Sequence, residues 1–277
     1  RIAINSLKVN KMRSMLTSLG IIIGVSAVII MLAIGTGAQE KVQKNMESMG
    51  SNLLTIRGAS AKSGGVHMGM GTIPTLTTKD ATAINKNARG ILGVAPVSSE
   101  TKQLTYGNQN WSTSVYGTMP EYFFIKNYEI DCGIGFIPED IRNAAKVAIM
   151  GTTVASELFG DVNPVGKTIR VGNIPFKVIG TLKSKGKAGP MDQDDLIFIP
   201  LTTAQRKVFG TDFPNTVSMI VVKCQDADIV ETTEADIDEL LTKRHNLGAN
   251  QDKDYEIRNS ADFQEKMKST VQTFAIL

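Results

Sequence analysis

Residues 14–39 read SMLTSLGIIIGVSAVIIMLAIGTGAQ, and no Asp, Glu, Lys or Arg interrupts them. The apolar heart, Met15 to Ile34, holds 20 residues. At about 1.5 Å of rise per residue, a helix of that length matches the ~30 Å hydrocarbon core of a bilayer. A core helix of a soluble protein carries a polar stripe at helical spacing, and this stretch has none. Its few polar residues, Thr17, Ser18 and Ser26, can donate back to helix carbonyls, which makes them cheap in lipid. The stretch therefore reads as a transmembrane helix. A cleaved signal peptide would have an apolar region of about 7–15 residues, shorter than this one. Lys8, Lys11 and Arg13 precede the span, whereas Gln39, Glu40 and Lys41 follow it. The positive-inside bias then predicts a cytoplasmic start and an extracytoplasmic chain beyond about Thr36.

Working outward, Gly20 and Gly24 form a GxxxG step inside the span, the spacing that lets two membrane helices approach closely. Val42, Met46 and Met49 continue the helical spacing beyond Gly37, so the helix is expected to run on as a stalk to Gly50. The residues before the span, Ile2, Ile4, Leu7, Val9 and Met12 among polar neighbours, fit either a short interfacial helix or a plain cytoplasmic lead-in. At the far end, Ser260–Leu277 repeats the logic in reverse: a polar helical stretch, then Val271 and FAIL, the expected start of a second span. The chain begins at Arg and stops inside an apolar run, so it is expected to be a piece of a longer protein.

Between the spans the pattern is α+β. Asn52–Arg57 is a strand, Gly58–Pro74 a Gly-rich loop, and Thr77 with Asp80 a capping-box-like helix start. Gly93–Ser98 is a strand. The same order returns later, with Thr216–Lys223, a helix carrying Ile229, Ile237, Leu240 and Leu241, and Tyr255–Arg258. Two such units flanking an insert match the split βαβ plan of ferredoxin-like sandwiches. The insert contains Gln103–Tyr106 and Trp111–Tyr116 around a turn, Ile169–Val171 and Pro175–Ile179 around Gly172-Asn173, and two strand–helix pairs, Lys146–Phe159 and Leu196–Phe209. The expected segments are 1–14 cytoplasmic, 15–35 membrane helix, 36–51 stalk, 52–100 and 213–259 the split βαβ subdomain, 101–212 a small inserted α/β subdomain, and 260–277 the second stalk and span.

No chemistry-bearing motif survives inspection. NPVGKT (163–168) lacks the upstream Gly of a phosphate loop and leads into a strand instead of a helix. Asp192, Asp194 and Asp195 lack the spacing of an EF-hand, which favours a solvated turn or a set of caps. His67 and His245 have no second ligand at metal spacing and read as surface histidines. Cys132 and Cys224 are compatible with one disulfide or with two separate thiols. Ser98, Ser99 and Ser218 have no His in a recognisable motif, so no catalytic, cofactor-binding or metal residue is assigned. A net charge of +3 over 277 residues, without a Lys/Arg patch interleaved with aromatics, argues against nucleic acid.

Several stretches together resemble one family. Residues 10–39 followed by ESMGSNLLTIR (47–57), then VYGTMPEYFFIKN (115–127), KVAIMGTTVASELFGDVNPVGKTIRVGNIPFKVIG (146–180) and DQDDLIFIPLTTAQRKVFG (192–210), are similar to MacB-type ABC transporter permeases of the FtsX-like superfamily. The resemblance runs in order over essentially the whole chain. It implies an extracytoplasmic core of porter-like and small inserted α/β subdomains on membrane stalks. It implies an inner-membrane, multi-pass full-length protein that works as a homodimer with an ABC ATPase subunit or domain and a periplasmic adaptor. ATP would then bind that ATPase and not this chain, which is expected to be a non-enzymatic permease that expels macrolide- or peptide-like amphiphiles by mechanotransmission. The rival expectations are a signal-transmitting, lipoprotein-releasing or cell-division permease of the same superfamily, and an anchored hydrolase, which the missing nucleophile–base set disfavours.

Overall fold

The structure is a computed structural model that describes residues 11–49, 52–59, 62–63, 66–67, 75–188, 191–210, 215–248 and 251–260. Its described residues fall into two units, one ending at Met46 and the other, the body, beginning at Glu47. The expectations for residues 1–10, most of 58–74 and the second stalk and span beyond Ser260 lie outside the described residues.

The first unit consists of most of α1, Lys11–Met49, one uninterrupted helix. The body begins with β1 (Leu53–Gly58), a two-residue ladder of β2 (Lys62–Ser63) and β3 (Val66–His67), and α2 (Thr78–Asn87). Then come β4 (Ile91–Tyr106), β5 (Gln109–Thr118), α3 (Glu121–Ile125), β6 (Ile130–Gly133) and α4 (Pro138–Arg142). β7 (Val147–Met150), α5 (Thr152–Phe159), β8 (Thr168–Val171) and β9 (Ile174–Leu182) follow, with a small ladder of β10 (Lys187–Ala188) and β11 (Met191–Asp192). The chain closes through β12 (Leu196–Pro200), α6 (Leu201–Thr203), β13 (Met219–Cys224), α7 (Val230–Arg244) and β14 (Tyr255–Asn259).

Four strands build the split βαβ part in the order β14-β1-β13-β4, each antiparallel to its neighbour. α2 carries the chain from β1 to β4, and α7 carries it from β13 to β14. Both helices pack on one sheet face with Leu54, Ile56, Ile84, Ile220, Val222, Ile237 and Leu241. α7 buries Val230, Thr233, Ile237 and Leu241, the 3–4 spacing of a single helical face. α2 starts as its sequence dictates: Asp80 N–H is capped by the Thr77 hydroxyl at 3.3 Å, and the Asp80 carboxylate accepts from Thr77 N–H at 2.9 Å.

The insert is the α/β part that β4 feeds. β5 lies antiparallel to β4 and parallel to β12, β7 is parallel to β9, and α5 covers one face with Val154, Leu158 and Phe159. β12, with sequence LIFIP, is buried along its whole length because both faces are covered. Ile197 and Ile199 face the α5 side, whereas Leu196 and Phe198 face an aromatic core that underlies both halves of the body.

β4 differs from expectation. The run predicted as two strands with a break is one strand of 16 residues. Ile91–Val97 pairs with β13 and Ser98–Tyr106 with β5, so the partner changes without a turn at the start of the polar run Ser98 to Lys102. No Gly or Pro interrupts those residues, and that is the physical reason the strand runs through. The expected boundary between the first half and the insert, Glu100 to Thr101, lies inside it. The predicted helix after β12 also departs from plan, turning from α to π geometry over Ala204–Val208.

Candidate functional site: an apolar helix and the strands where the chain joins the body

Lys11–Gly37 of α1 is long and apolar enough to cross a membrane, and none of it is buried. At about 1.5 Å per residue its 27 residues extend ~40 Å. Its Leu, Ile, Val and Met side chains stand exposed all round, which in water would be an apolar surface far beyond that of a monomeric soluble protein. Three of its hydroxyls are turned inward: Thr17 Oγ1 donates to Arg13 O at 2.9 Å, Ser18 Oγ to Ser14 O at 2.8 Å and Thr36 Oγ1 to Leu32 O at 3.0 Å. Gly20 and Gly24 sit one turn apart on the same face. A Cβ added at either would meet nothing within 4 Å. Nothing among the described residues therefore requires glycine there, although glycine in a helix interior costs about 1 kcal/mol relative to alanine in water.

In the body, the first and last strands among the described residues are neighbours. β1 and β14 pair antiparallel with Leu54 opposite Asn259, and Leu53 N–H donates to the Ser260 hydroxyl at 3.0 Å. The chain thus joins the sheet at residue 53 and leaves it at residue 260 side by side.

Next to the other end of β14 lies a polar cluster. The Asp80 carboxylate accepts from Arg244 Nε at 2.8 Å and from the Thr77 hydroxyl at 2.7 Å, and His245 Nε2 lies 3.5 Å away. His245 Nδ1 meets the Asp254 carboxylate at 2.8 Å, and its ring packs edge-on against Tyr255. The Asp254 carbonyl in turn accepts from Ala59 N–H and from the Thr75 hydroxyl, both at 2.8 Å. The cluster joins α2, α7, β14 and the end of β1. Burial pushes the Asp80 carboxyl up, but hydrogen bonds from His245, Thr77 and Arg244 outweigh it and hold the group well below the usual carboxylate range. The Asp80 contact raises His245 above the ordinary imidazole value, against an opposing push from burial.

His245 corrects the surface reading: its side chain is only 9 % exposed and is bracketed by two carboxylates. An isolated His at a helix end carries no local signal of this, because both partners come from distant elements. The acidic stretch is also not a solvated turn. Asp194 is buried and accepts from Ser184 Oγ, Lys185 N–H and Gly186 N–H, while Asp195 accepts from Trp111 Nε1 and Thr113 Oγ1. Asp194 caps backbone N–H groups from inside the fold, and Asp195 binds side chains of β5. Cys132 and Cys224 are both free thiols. No group of three or more metal-ligating side chains occurs among the described residues.

The family model of the MacB-like periplasmic core domain matches residues 14–240. The chain belongs to that family. Over 274 residues it is 42 % identical to the macrolide export ATP-binding/permease protein MacB of Chlorobaculum tepidum, covering 99 % of this chain and 42 % of the relative. It is 39 % identical to the protein of the same name from Bdellovibrio bacteriovorus over 273 residues, covering 98 % of this chain and 42 % of that protein. The chain thus spans less than half the length of these curated relatives. Among solved structures, the periplasmic region of MacB from Actinobacillus actinomycetemcomitans superposes with a TM-score of 0.66 at 24 % identity, covering 82 % of this chain and 98 % of that one. The extracellular domain of the noncanonic ABC-type transporter YknZ from Gram-positive bacteria superposes with a TM-score of 0.60 at 20 % identity, covering 75 % and 100 %. Both likenesses show the fold: the α+β core of the MacB-like family, with its split βαβ part and inserted α/β part.

Proposed function

We propose that this chain is the membrane-anchored extracytoplasmic core of an ABC-type exporter permease. In this reading α1 crosses the inner membrane, and motions driven by cytosolic ATP hydrolysis reach the body at the β1–β14 corner, where they drive expulsion of amphiphiles of the macrolide or peptide kind. ATP binds an ATPase subunit or fused domain. Two copies act together, and Gly20 and Gly24 are the close-packing positions of their membrane helices. A second span follows residue 260, and a periplasmic adaptor completes the path. The observation that carries the reading is the family match running through an exposed apolar helix into a body whose first and last strands are hydrogen-bonded neighbours. The names of the curated relatives, ATP-binding/permease proteins, support the coupling to ATP.

The test is crosslinking and affinity purification of the full-length protein from its native membranes, with mass spectrometry of what copurifies. Recovery of an ABC ATPase, fused or separate, together with an adaptor supports export. Recovery of a cell-wall hydrolase or sensor kinase in their place would transfer the same architecture to signal transmission.

A further inference from the structure

β14 ends the sheet on its side: it pairs with β1, and among the described residues no strand lies beyond it. At the opposite end of the sheet stands β6, whose ladder with β9 is irregular between Ile130 and Cys132. An irregularity of that kind spoils an edge for further pairing. β14 carries no such device. Its five residues, Tyr255–Asn259, hold an unbroken register with β1 and include no Pro, Gly or Lys.

The register fixes which main-chain groups face outward. Ala59 N–H donates to the Asp254 carbonyl, and residue 59 stands opposite 254 when the β1–β14 pairing is continued by one step. Antiparallel partners alternate between pairs that exchange main-chain hydrogen bonds and pairs that do not. Residues 254, 256 and 258 therefore turn N–H and C=O toward β1, whereas Tyr255 and Ile257 turn theirs to the open edge. Outward amides on a regular strand are a template for another strand.

The side chains select which strand. Tyr255 and Ile257 lie on the face that the helices cover, and Glu256 and Arg258 lie on the other, where they form an ion pair at 2.9 Å. Let a second β14 run antiparallel to the first with Ile257 opposite Ile257. Outward residues then meet outward residues, as hydrogen bonding between strands requires. Glu256 of each copy stands opposite Arg258 of the other, in the non-hydrogen-bonded pairs where Cα atoms are only about 4.5 Å apart. Across the joint, one row runs Arg57, Glu256 and then Arg258 of the second copy, alternating in charge. The adjacent registers that still match outward residues fail. Centring on Glu256 sets two glutamates face to face, and centring on Arg258 sets two arginines face to face, which is destabilising.

We propose that the β14 edge pairs with the β14 edge of a second copy of this chain, antiparallel about a two-fold axis through Ile257, joining the two sheets into one. The contact is isologous, so each copy gives and receives the same bonds. It rests on the reading that two copies act together and assigns that pair a contact in the body.

The experiment is disulfide crosslinking of the full-length protein in its native membranes, with Cys132 and Cys224 replaced by serine and Ile257→Cys introduced. The register sets the Cα atoms of the two 257 positions about 5.5 Å apart, inside the span of a disulfide. Thr55→Cys, one strand inward in each copy, would lie three strand spacings, ~14 Å, from its counterpart and should stay unlinked. Arg258→Glu or Glu256→Lys, each added alone to Ile257→Cys, sets like charges opposite and should lower the crosslinked fraction by about fivefold or more. Coexpression of those two variants should restore crosslinking between them, because an acidic strand then meets a basic one. A merely misfolded variant would not be rescued in this way. Light scattering of the same proteins, purified in detergent, reports whether two copies associate at all. Two copies without the Ile257→Cys disulfide overturn the edge pairing and leave the paired reading standing, whereas a single copy by both measures overturns both. Equal crosslinking of Thr55→Cys, no rescue in the mixture, or capture of a different polypeptide by Ile257→Cys also overturns the proposal.

Discussion

Asp80→Asn isolates the charge at the centre of the cluster joining α2, α7 and β14. The amide keeps the shape of the carboxylate and an oxygen for the Thr77 N–H, so the helix start is largely retained. What is lost is the anion facing Arg244 Nε at 2.8 Å and His245 Nε2 at 3.5 Å. Breaking a buried pair from one side costs about 3–5 kcal/mol. Asp80 and His245 are 5 % and 9 % exposed, but Arg244 is 36 % exposed, so its share is screened toward the value of a surface pair. A destabilisation of about 2–3 kcal/mol follows, or ~4–12 °C in Tm for a body of roughly 200 residues. Thermal and urea unfolding of the detergent-solubilised chain can be followed through Trp111, the single tryptophan, which lies in the body. The pH dependence has a defined sign. Because folding raises the His245 pKa, its contribution is complete below about pH 6.5 and is lost as pH rises through the folded value. The depressed Asp80 carboxyl contributes above about pH 4, and that contribution is lost only as pH falls through its much lower folded value. Wild type should therefore lose stability on the alkaline side of pH 6.5, and Asp80→Asn should flatten that slope. A variant within about 0.5 kcal/mol of wild type, with the slope intact, would refute the reasoning.

Three further outcomes follow from particular contacts. Phe198→Ala empties the aromatic core shared by both halves, where Phe198 meets the rings of Tyr116, Tyr122, Phe123 and Tyr128, and should cost about 3–5 kcal/mol in urea unfolding. Gly133→Ala should cost at least about 1–3 kcal/mol, because φ is +87° there and the new Cβ would fall 2.1 Å from the Ile179 carbonyl oxygen; a neutral result by thermal shift would contradict the close approach of β6 to β9. Gly24→Leu should weaken helix–helix crosslinking of the full-length protein in membranes while leaving the unfolding of the body unchanged. Undiminished crosslinking would remove close packing at Gly20 and Gly24 from the account.

What was legible in the sequence were the features that local physics decides. The α1 span follows from composition alone. The Thr77–Asp80 cap, the all-apolar β12 and the helix at Thr152–Phe159 follow from patterns within a few residues, and the split βαβ order follows from their succession. Long-range features were hidden. The sequence Ser98 to Lys102 looks like a break because its alternation fades, yet it continues β4 just after one partner gives way to another. The short elements α3, β6 and α4 carry too few residues for a period to emerge, although Tyr122 and Ile125 anchor the shared core. The cluster around His245 draws on residues separated by as many as 195 positions (59 to 254). Only folding brings them together.

The central claim is that the body moves when ATP is hydrolysed across the membrane. Its most direct test is pulsed electron–electron resonance on the reconstituted full-length protein with its ATPase. Spin labels go on exposed Glu121→Cys, with Cys132 and Cys224 replaced by serine. The account predicts that the distance between the two labels of a pair of copies differs between nucleotide-free and vanadate-trapped states, and that Gly24→Leu diminishes the difference. One distance distribution in both states, from protein that hydrolyses ATP normally, would contradict it.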